Sequence, residues 1–149
     1  MITQEKALKI VPLTLQDIDQ ILPLTQQLNP TLSVEELRAR TEEIFQFDNY
    51  NCLGFYEEDK LVGLTGAWIL VKLYSGKQLE IDHLIVDSQI QSKGFGRKFL
   101  ALVQEWALEQ GCNTMELNTY VTNTASHKFY FNQGYTIKGY HFLKWLKED

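Results

Sequence analysis

LEIDHLIVDSQIQSKGFGRKFLALVQEWA, residues 79–107, changes its period halfway along. As far as Asp87 it reads as a strand, apolar residues interleaved with Glu80, Asp82 and His83. From Phe95 onward, Phe95, Phe99, Leu102, Val103 and Trp106 recur at the spacing of one buried helical stripe. Between the two lies Gln91-Ser92-Lys93-Gly94-Phe95-Gly96-Arg97-Lys98. A glycine-marked loop between a strand and a helix has two readings. One is a plain tight turn. The other is an anion site, because a helix N-terminus carries roughly half a positive charge and several unpaired N–H groups. Gly94 and Gly96 have no Cβ, so an anion can come close to the backbone. Lys93, Arg97 and Lys98 add positive charge at the same place. The loop is not a P-loop, since no Gly-Lys-Ser/Thr follows, and it is shorter than the dinucleotide fingerprint.

Outward from this stretch the chain alternates elements. Residues 7–13 read as a first strand with Pro12 near its end. Thr14 can cap a helix that Pro23 should kink or split. Ser33, with Glu36 three residues on, opens a second helix. Residues 52–57 and 61–74 form strands joined by a turn, and Ser75-Gly76-Lys77 makes the next hairpin turn into 78–87. The helix from 94 ends at Gly111, a suitable C′ residue. Residues 114–121 are a fifth strand, 124–134 a short helix, and 135–146 one or two closing strands. The expected order is βααβββαβαβ: an α/β chain in which late crossover helices imply a parallel pair inside a mixed sheet.

The 149 residues suit a single domain, 1–149, with a proper core. Hydrophobic residues at 44% exclude a disordered chain. The net charge of −5 argues against a nucleic-acid binder and is compatible with a cationic partner. Cys52 and Cys112 lack metal-ligand spacing and read as reduced core thiols of a cytoplasmic protein, so no metal is expected. The opening MITQEKALKI does not read as a signal peptide, and no run approaches the roughly 20 apolar residues of a membrane span.

A strand ending LIVD, then Gln-x-x-Gly-x-Gly, then an amphipathic helix, resembles the acetyl-CoA-binding motif of the Gcn5-related N-acetyltransferase superfamily. Downstream, Asn123, Ser126, Phe129 and Tyr130 resemble that family's Asn-x-x-Ala-x-x-Phe-Tyr pattern, followed by Gly134-Tyr135. The resemblance covers about residues 50 to 146. Gln91 stands where many members carry Arg, and Ser126 replaces Ala. It implies a splayed mixed sheet flanked by helices, with acetyl-CoA wedged between strands four and five. It also implies an acetyltransferase that moves the acetyl group to a primary amine by direct attack. The loop Gln91, Ser92, Lys93, Gly94, Phe95, Gly96, Arg97 and Lys98 would then hold the pyrophosphate. Backbone N–H groups along Leu84, Ile85 and Val86 would polarise the thioester carbonyl. Asn118, Asn123 and Ser126 would stand beside the pantetheine arm, although an Asn there is also an ordinary helix cap.

Strict alternation puts Leu79, Ile81, His83 and Ile85 on one face of the fourth strand, and Glu80, Asp82, Leu84 and Val86 on the other. Two carboxylates facing the same way, Glu80 and Asp82, could accept a proton from an amine directly or through water. Glu80 matches the place where some family members carry their general base. The alternative is that both are solvated side chains at the exposed end of a strand. His83 reads as a packed, hydrogen-bonded histidine. Tyr130 matches the family's acid, although beside Phe129 and Phe131 it also fits a packing role. The acceptor pocket is expected around Glu42, Glu43, Phe45, Phe47, Tyr50 and Trp68. These suit a small-molecule or peptide amine with an apolar body. A non-catalytic acyl-CoA-binding module of the same fold is the alternative, and a C-terminal edge strand could pair two copies into a homodimer.

Overall fold

The computed structural model describes residues 6–90 and 94–147. Two compact units are present, Met1–Leu117 and Asn118–Asp149.

In the first unit, β1 (Leu8–Leu13) is followed by α1 (Ile18–Leu28) and α2 (Val34–Ile44). Next come β2 (Tyr50–Glu57), β3 (Lys60–Lys72), β4 (Gly76–Val86), α3 (Phe95–Glu109) and β5 (Thr114–Leu117). The sheet order is β1-β2-β3-β4-β5, antiparallel except for the parallel β4–β5 pair. A helix must cross between two parallel strands, and α3 does so.

Thr14 caps as expected, although the element it opens is a 3-10 turn over Leu15–Asp17 that feeds α1. Thr14 accepts from the Gln16 N–H, and Asp17 accepts from the Thr14 N–H (2.9 Å). Pro23 does not split α1, which runs on through it. Proline removes a single helical N–H, and the buried residues Ile21, Leu22, Leu24 and Thr25 on both sides hold the helix to the core. Ser33 caps α2 through the Glu36 N–H (3.1 Å).

Two hydrophobic clusters lie on opposite faces of the sheet. Leu53, Phe55, Ala67 and Leu79 pack with Phe95, Phe99 and Val103 of α3, where Phe55 and Phe99 stack at 4.7 Å. Leu13, Cys52, Leu64 and Ile85 pack with Ile21 and Leu24 of α1. These assignments correct the face expected for half of β4. Leu84 and Val86 pack with the cluster that holds Leu79, and Ile85 belongs to the opposite one. The cause is a register irregularity. Ala67 pairs with Ile81, but the next residue, Gly66, pairs with His83, leaving Asp82 unopposed. An extra residue in one strand reverses the facing of everything beyond it.

In the second unit, α4 (Thr124–Asn132) is followed by residues 135–147, for which no strand is recorded. The closing strand expected there is therefore a correction to the element order. The side chains alternate as a strand requires, but a strand also needs a hydrogen-bonded neighbour. Here Tyr140 is 90% and Trp145 81% exposed.

Candidate active site

β4 and its neighbours build the first part of the site. Cross-strand partners share a face, so the register traces a row across four strands. Tyr50 pairs with Trp68, Trp68 with Glu80, and Glu80 with Glu116. Phe45 meets Tyr50 edge-on, and Phe47 meets Trp68 likewise. Tyr50 and Trp68 lie 5.0 Å apart between ring centroids. The row is therefore aromatic at one end and acidic at the other. A pocket lined by Pro12, Leu15, Phe45, Tyr50 and Cys52 opens beside the aromatic end.

The acidic end is a hydrogen-bonded network. Tyr74 donates a short hydrogen bond to Glu116. Lys72 lies 3.5 Å from Glu116 and 5.9 Å from the centre of the Tyr74 ring. Fully buried Gln78, its amide turned to satisfy its neighbours, donates to Ser75 Oγ (3.0 Å) and Glu116 Oε1 (3.1 Å) and accepts from Lys72 Nζ (3.3 Å). The Tyr74 hydrogen bond, followed by Lys72 and Gln78, outweighs desolvation and holds the Glu116 carboxyl below its usual range. Desolvation pulls Lys72 down, but Glu80, Glu116 and Tyr74 outweigh it, and its ammonium is held above the ordinary lysine value. Lys72, Gln78 and Glu116 are functional candidates that the sequence reading missed. Alternation within "TMEL" shows that Glu116 can face outward, but only the parallel register sets it beside Glu80.

Further along β4, exposed Asp82 occupies the bulge. Its charge acts on Tyr50 and His83, whereas that of Glu80 acts on Lys72. Burial, followed by Cys52 and Asp82, keeps the Tyr50 phenol protonated far into the alkaline range. Burial pushes His83 below the ordinary imidazole value, with Asp82 opposing. The expected packing of His83 is seen, but its Nε2 finds no partner among the described residues. Both rings close over Gly66, where a Cβ would overlap the Tyr50 hydroxyl and His83 Cε1. The Thr65 hydroxyl pins the bulge by donating to the His83 carbonyl (2.6 Å). Pairing with β5 stops at Ile81, while β4 continues through Leu84, Ile85 and Val86. β4 thus runs on past the end of β5, at the level where the resemblance implies the thioester.

Gln91, Ser92 and Lys93 lie outside the described residues. Gly94 caps α3 with φ +72°, a left-handed conformation that glycine adopts without penalty. As a glycine, it brings no side chain to the first-turn N–H groups. Among the described residues nothing lies within 4 Å of where its Cβ would be. Phe95 is buried, Gly96 is half-buried, and Arg97 and Lys98 are exposed. No acidic residue lies in the first turn. Two cations beside the positive end of a helix repel it unless an anion sits there. The residues present therefore fit a phosphate-bearing group.

In the second unit, Asn118 is exposed. Asn123 caps α4 by accepting from the Ser126 N–H (3.2 Å), so the capping role is the one seen. Tyr130 meets Phe129 (5.1 Å) and Tyr135 (5.5 Å) edge-on. Burial, followed by Tyr135, pushes its phenol up to about 12. Among the described residues no group of three His, Cys, Asp or Glu could hold a metal ion, and no helix is long and apolar enough to cross a membrane.

Residues 20–135 match the acetyltransferase (GNAT) family. The chain is 29% identical over 123 residues to the uncharacterized N-acetyltransferase YhdJ of Bacillus subtilis, covering 82% of this chain and 87% of that protein. It is 25% identical to the spermine/spermidine N(1)-acetyltransferase of the same bacterium, covering 80% and 81%. In fold it is similar to the aminoglycoside N-acetyltransferase AAC(6')-Iy in complex with CoA, with a TM-score of 0.81 and 20% identity over 99% of this chain and 100% of that one.

Proposed function

The chain belongs to the acetyltransferase (GNAT) family and is an acyltransferase of that kind, and from this premise we propose that it acetylates a primary amine by direct attack in a ternary complex. Acetyl-CoA supplies an activated acetyl thioester. The N–H groups opening α3, with Arg97 and Lys98, hold its diphosphate. The β4 main chain at Leu84, Ile85 and Val86 lies beyond the end of the β5 ladder and polarises the thioester carbonyl. Glu80 removes a proton from the acceptor ammonium, with Asp82 as the second candidate. Tyr130 donates toward the departing sulfur. Asn123 and Ser126 shape the start of α4, and Asn118 stands beside the pantetheine arm.

The observation that carries this reading is the row from Tyr50 through Trp68 and Glu80 to Glu116. An aromatic wall leading to carboxylates suits a cation with an apolar body, because the ring faces and the carboxylates both attract ammonium. This supports small amines. Relatives named for spermine, spermidine and aminoglycosides point in the same direction. The protein is read as one functional domain of the cytoplasm, consistent with the buried free thiols Cys52 and Cys112. Pairing of the exposed 137–146 segment with a second copy would supply the missing strand in a homodimer.

The test is thiol release from acetyl-CoA with a panel of polyamines, aminoglycosides and peptide amines, beside calorimetric titration with CoA. Turnover with at least one amine is expected, abolished or strongly reduced in Glu80→Gln. CoA binding without turnover for any amine would favour a non-catalytic acyl-CoA-binding module, and no CoA binding would overturn the reading altogether.

A further inference from the structure

We propose that Gln27 of α1 is a positioning residue for acetyl-CoA: its side-chain amide fixes the turn that leaves β4 and so sets the spacing between the acyl end of the site and the start of α3. The inference rests on the start of α3 receiving the diphosphate. Gln27 lies in the last turn of α1. Ile21 and Leu24 seat that helix on the sheet, in one cluster with Leu64 and Ile85. Ile85 lies in the part of β4 read as polarising the thioester carbonyl. Just beyond it the chain leaves the sheet. The Asp87 N–H donates to the Val62 carbonyl of β3 (2.8 Å). Ser88–Ile90 then make a 3-10 turn. The Ile90 N–H donates to the Asp87 carbonyl (3.0 Å), and the Gln89 N–H donates to Asp87 Oδ1 (3.1 Å).

Those bonds close the turn without help from α1. Gln27 adds two more. Its Oε1 accepts from the Ser88 N–H (3.0 Å), and its Nε2 donates to Asp87 Oδ1 (3.3 Å). The amide can face only this way, because the reverse would set its oxygen against a carboxylate. Both bonds are exposed, so water could replace them at little cost to stability. What water cannot supply is position. At its other end the turn is held by Ile90, which packs with the cluster of Phe95 and Phe99. Gly94 then opens α3. Acetyl-CoA is one molecule, with its thioester at the β4 end of this crossing and its diphosphate at the α3 end. The placement of the crossing decides whether both are met at once. A spacing fixed before the ligand arrives does not have to be ordered by the ligand, and affinity is higher for it.

The experiment is calorimetric titration of the full chain with CoA, beside urea unfolding. Gln27→Met keeps the length of the side chain and removes both bonds. It should weaken CoA binding about five- to tenfold while the urea midpoint stays close to that of the parent. Gln27→Glu should weaken binding at least as much, because it sets a second carboxylate against Asp87. Gln27→Glu combined with Asp87→Asn keeps the parent's net charge and exchanges donor for acceptor. The new amide can donate to the new carboxylate, whose other oxygen still accepts from Ser88. This pair should recover CoA affinity to within about twofold of the parent. Unchanged affinity in Gln27→Met overturns the proposal, whether or not its urea midpoint falls, since the contact would then be structural only. So does a loss that the exchanged pair leaves in full. If Gln27→Met does not fold, Gln27→Ala answers the same question. A parent that does not bind CoA refutes the diphosphate reading and this inference with it. A parent that binds CoA no better than Gln27→Met refutes the role of Gln27 alone.

Discussion

Replacing Tyr130 by Phe removes one hydroxyl and leaves the ring, so it isolates what the oxygen does. The ring contacts with Phe129 and Tyr135 at 5.1 and 5.5 Å survive the change. The phenol is pushed up to about 12 by burial and by Tyr135, against about 8.5 for a free thiol. The gap is about 3.5 units, so complete proton transfer to the departing sulfur would cost about 5 kcal/mol at roughly 1.4 kcal/mol per unit. In the proposed mechanism Tyr130 would therefore act by donating a hydrogen bond to the sulfur as charge develops there, not by surrendering its proton. A hydrogen bond to a charged partner contributes about 1.5–3 kcal/mol, so Tyr130→Phe should lower kcat by roughly 10- to 150-fold. Affinity for CoA should stay within about twofold, because the bond matters only once charge builds up. Stopped-flow thiol release measures the first quantity and calorimetric titration the second. The raised phenol adds a further expectation: the parent's rate should show no loss from Tyr130 ionisation below about pH 11. A variant with parental kcat, or one whose kcat falls only in step with CoA affinity, would refute the reasoning and leave Tyr130 as packing.

The remaining predictions concern the sheet. Gly63→Ala places a Cβ 2.5 Å from the Ile85 carbonyl, which as main chain cannot swing aside. It should cost about 1–3 kcal/mol in urea unfolding and, by displacing β4 at Leu84–Val86, lower kcat/KM for acetyl-CoA in the folded protein. Gly66→Ala meets the Tyr50 hydroxyl and the His83 ring instead, and a loss of the same order is expected, removed in part by Tyr50→Phe. Stability should also fall at alkaline pH. The folded values of Cys52, raised to about 12 by burial and then Asp17, and of Tyr50 lie above their unfolded values of 9.0 and 10.0. Their contribution is complete below about pH 9 and is lost as pH rises toward the folded values. Unfolding free energy at pH 10.5 should be about 2–3 kcal/mol below that at pH 7.5. Cys52→Ser should remove most of that difference, and an unchanged dependence in that variant would show that the thiol is not responsible.

Local chemistry made much of this protein readable before any coordinates. The helical stripe of α3 and the strand before it are patterns within a few residues of each other, and so are the caps at Thr14 and Ser33. Period and capping are set by neighbours along the chain. The glycines at the start of α3 were legible as residues without a Cβ, while the left-handed φ of Gly94 came only with the structure. What lay out of reach was register. Alternation along 79–86 sorts side chains into two faces, but the irregularity opposite Gly66 reverses the second half, and nothing in those eight letters records it. The reversal depends on Tyr50 and His83 closing over a glycine on another strand, with Thr65 holding the His83 carbonyl. Glu116 was missed because its meaning comes from the strand beside it. The segment 135–147 has a strand's alternation but is not one, since a strand exists only as half of a pair. Torsional preference and capping act over one turn of chain and belong to the letters. Pairing, facing and charge proximity act between residues dozens of positions apart, and they came into being only when the sheet assembled.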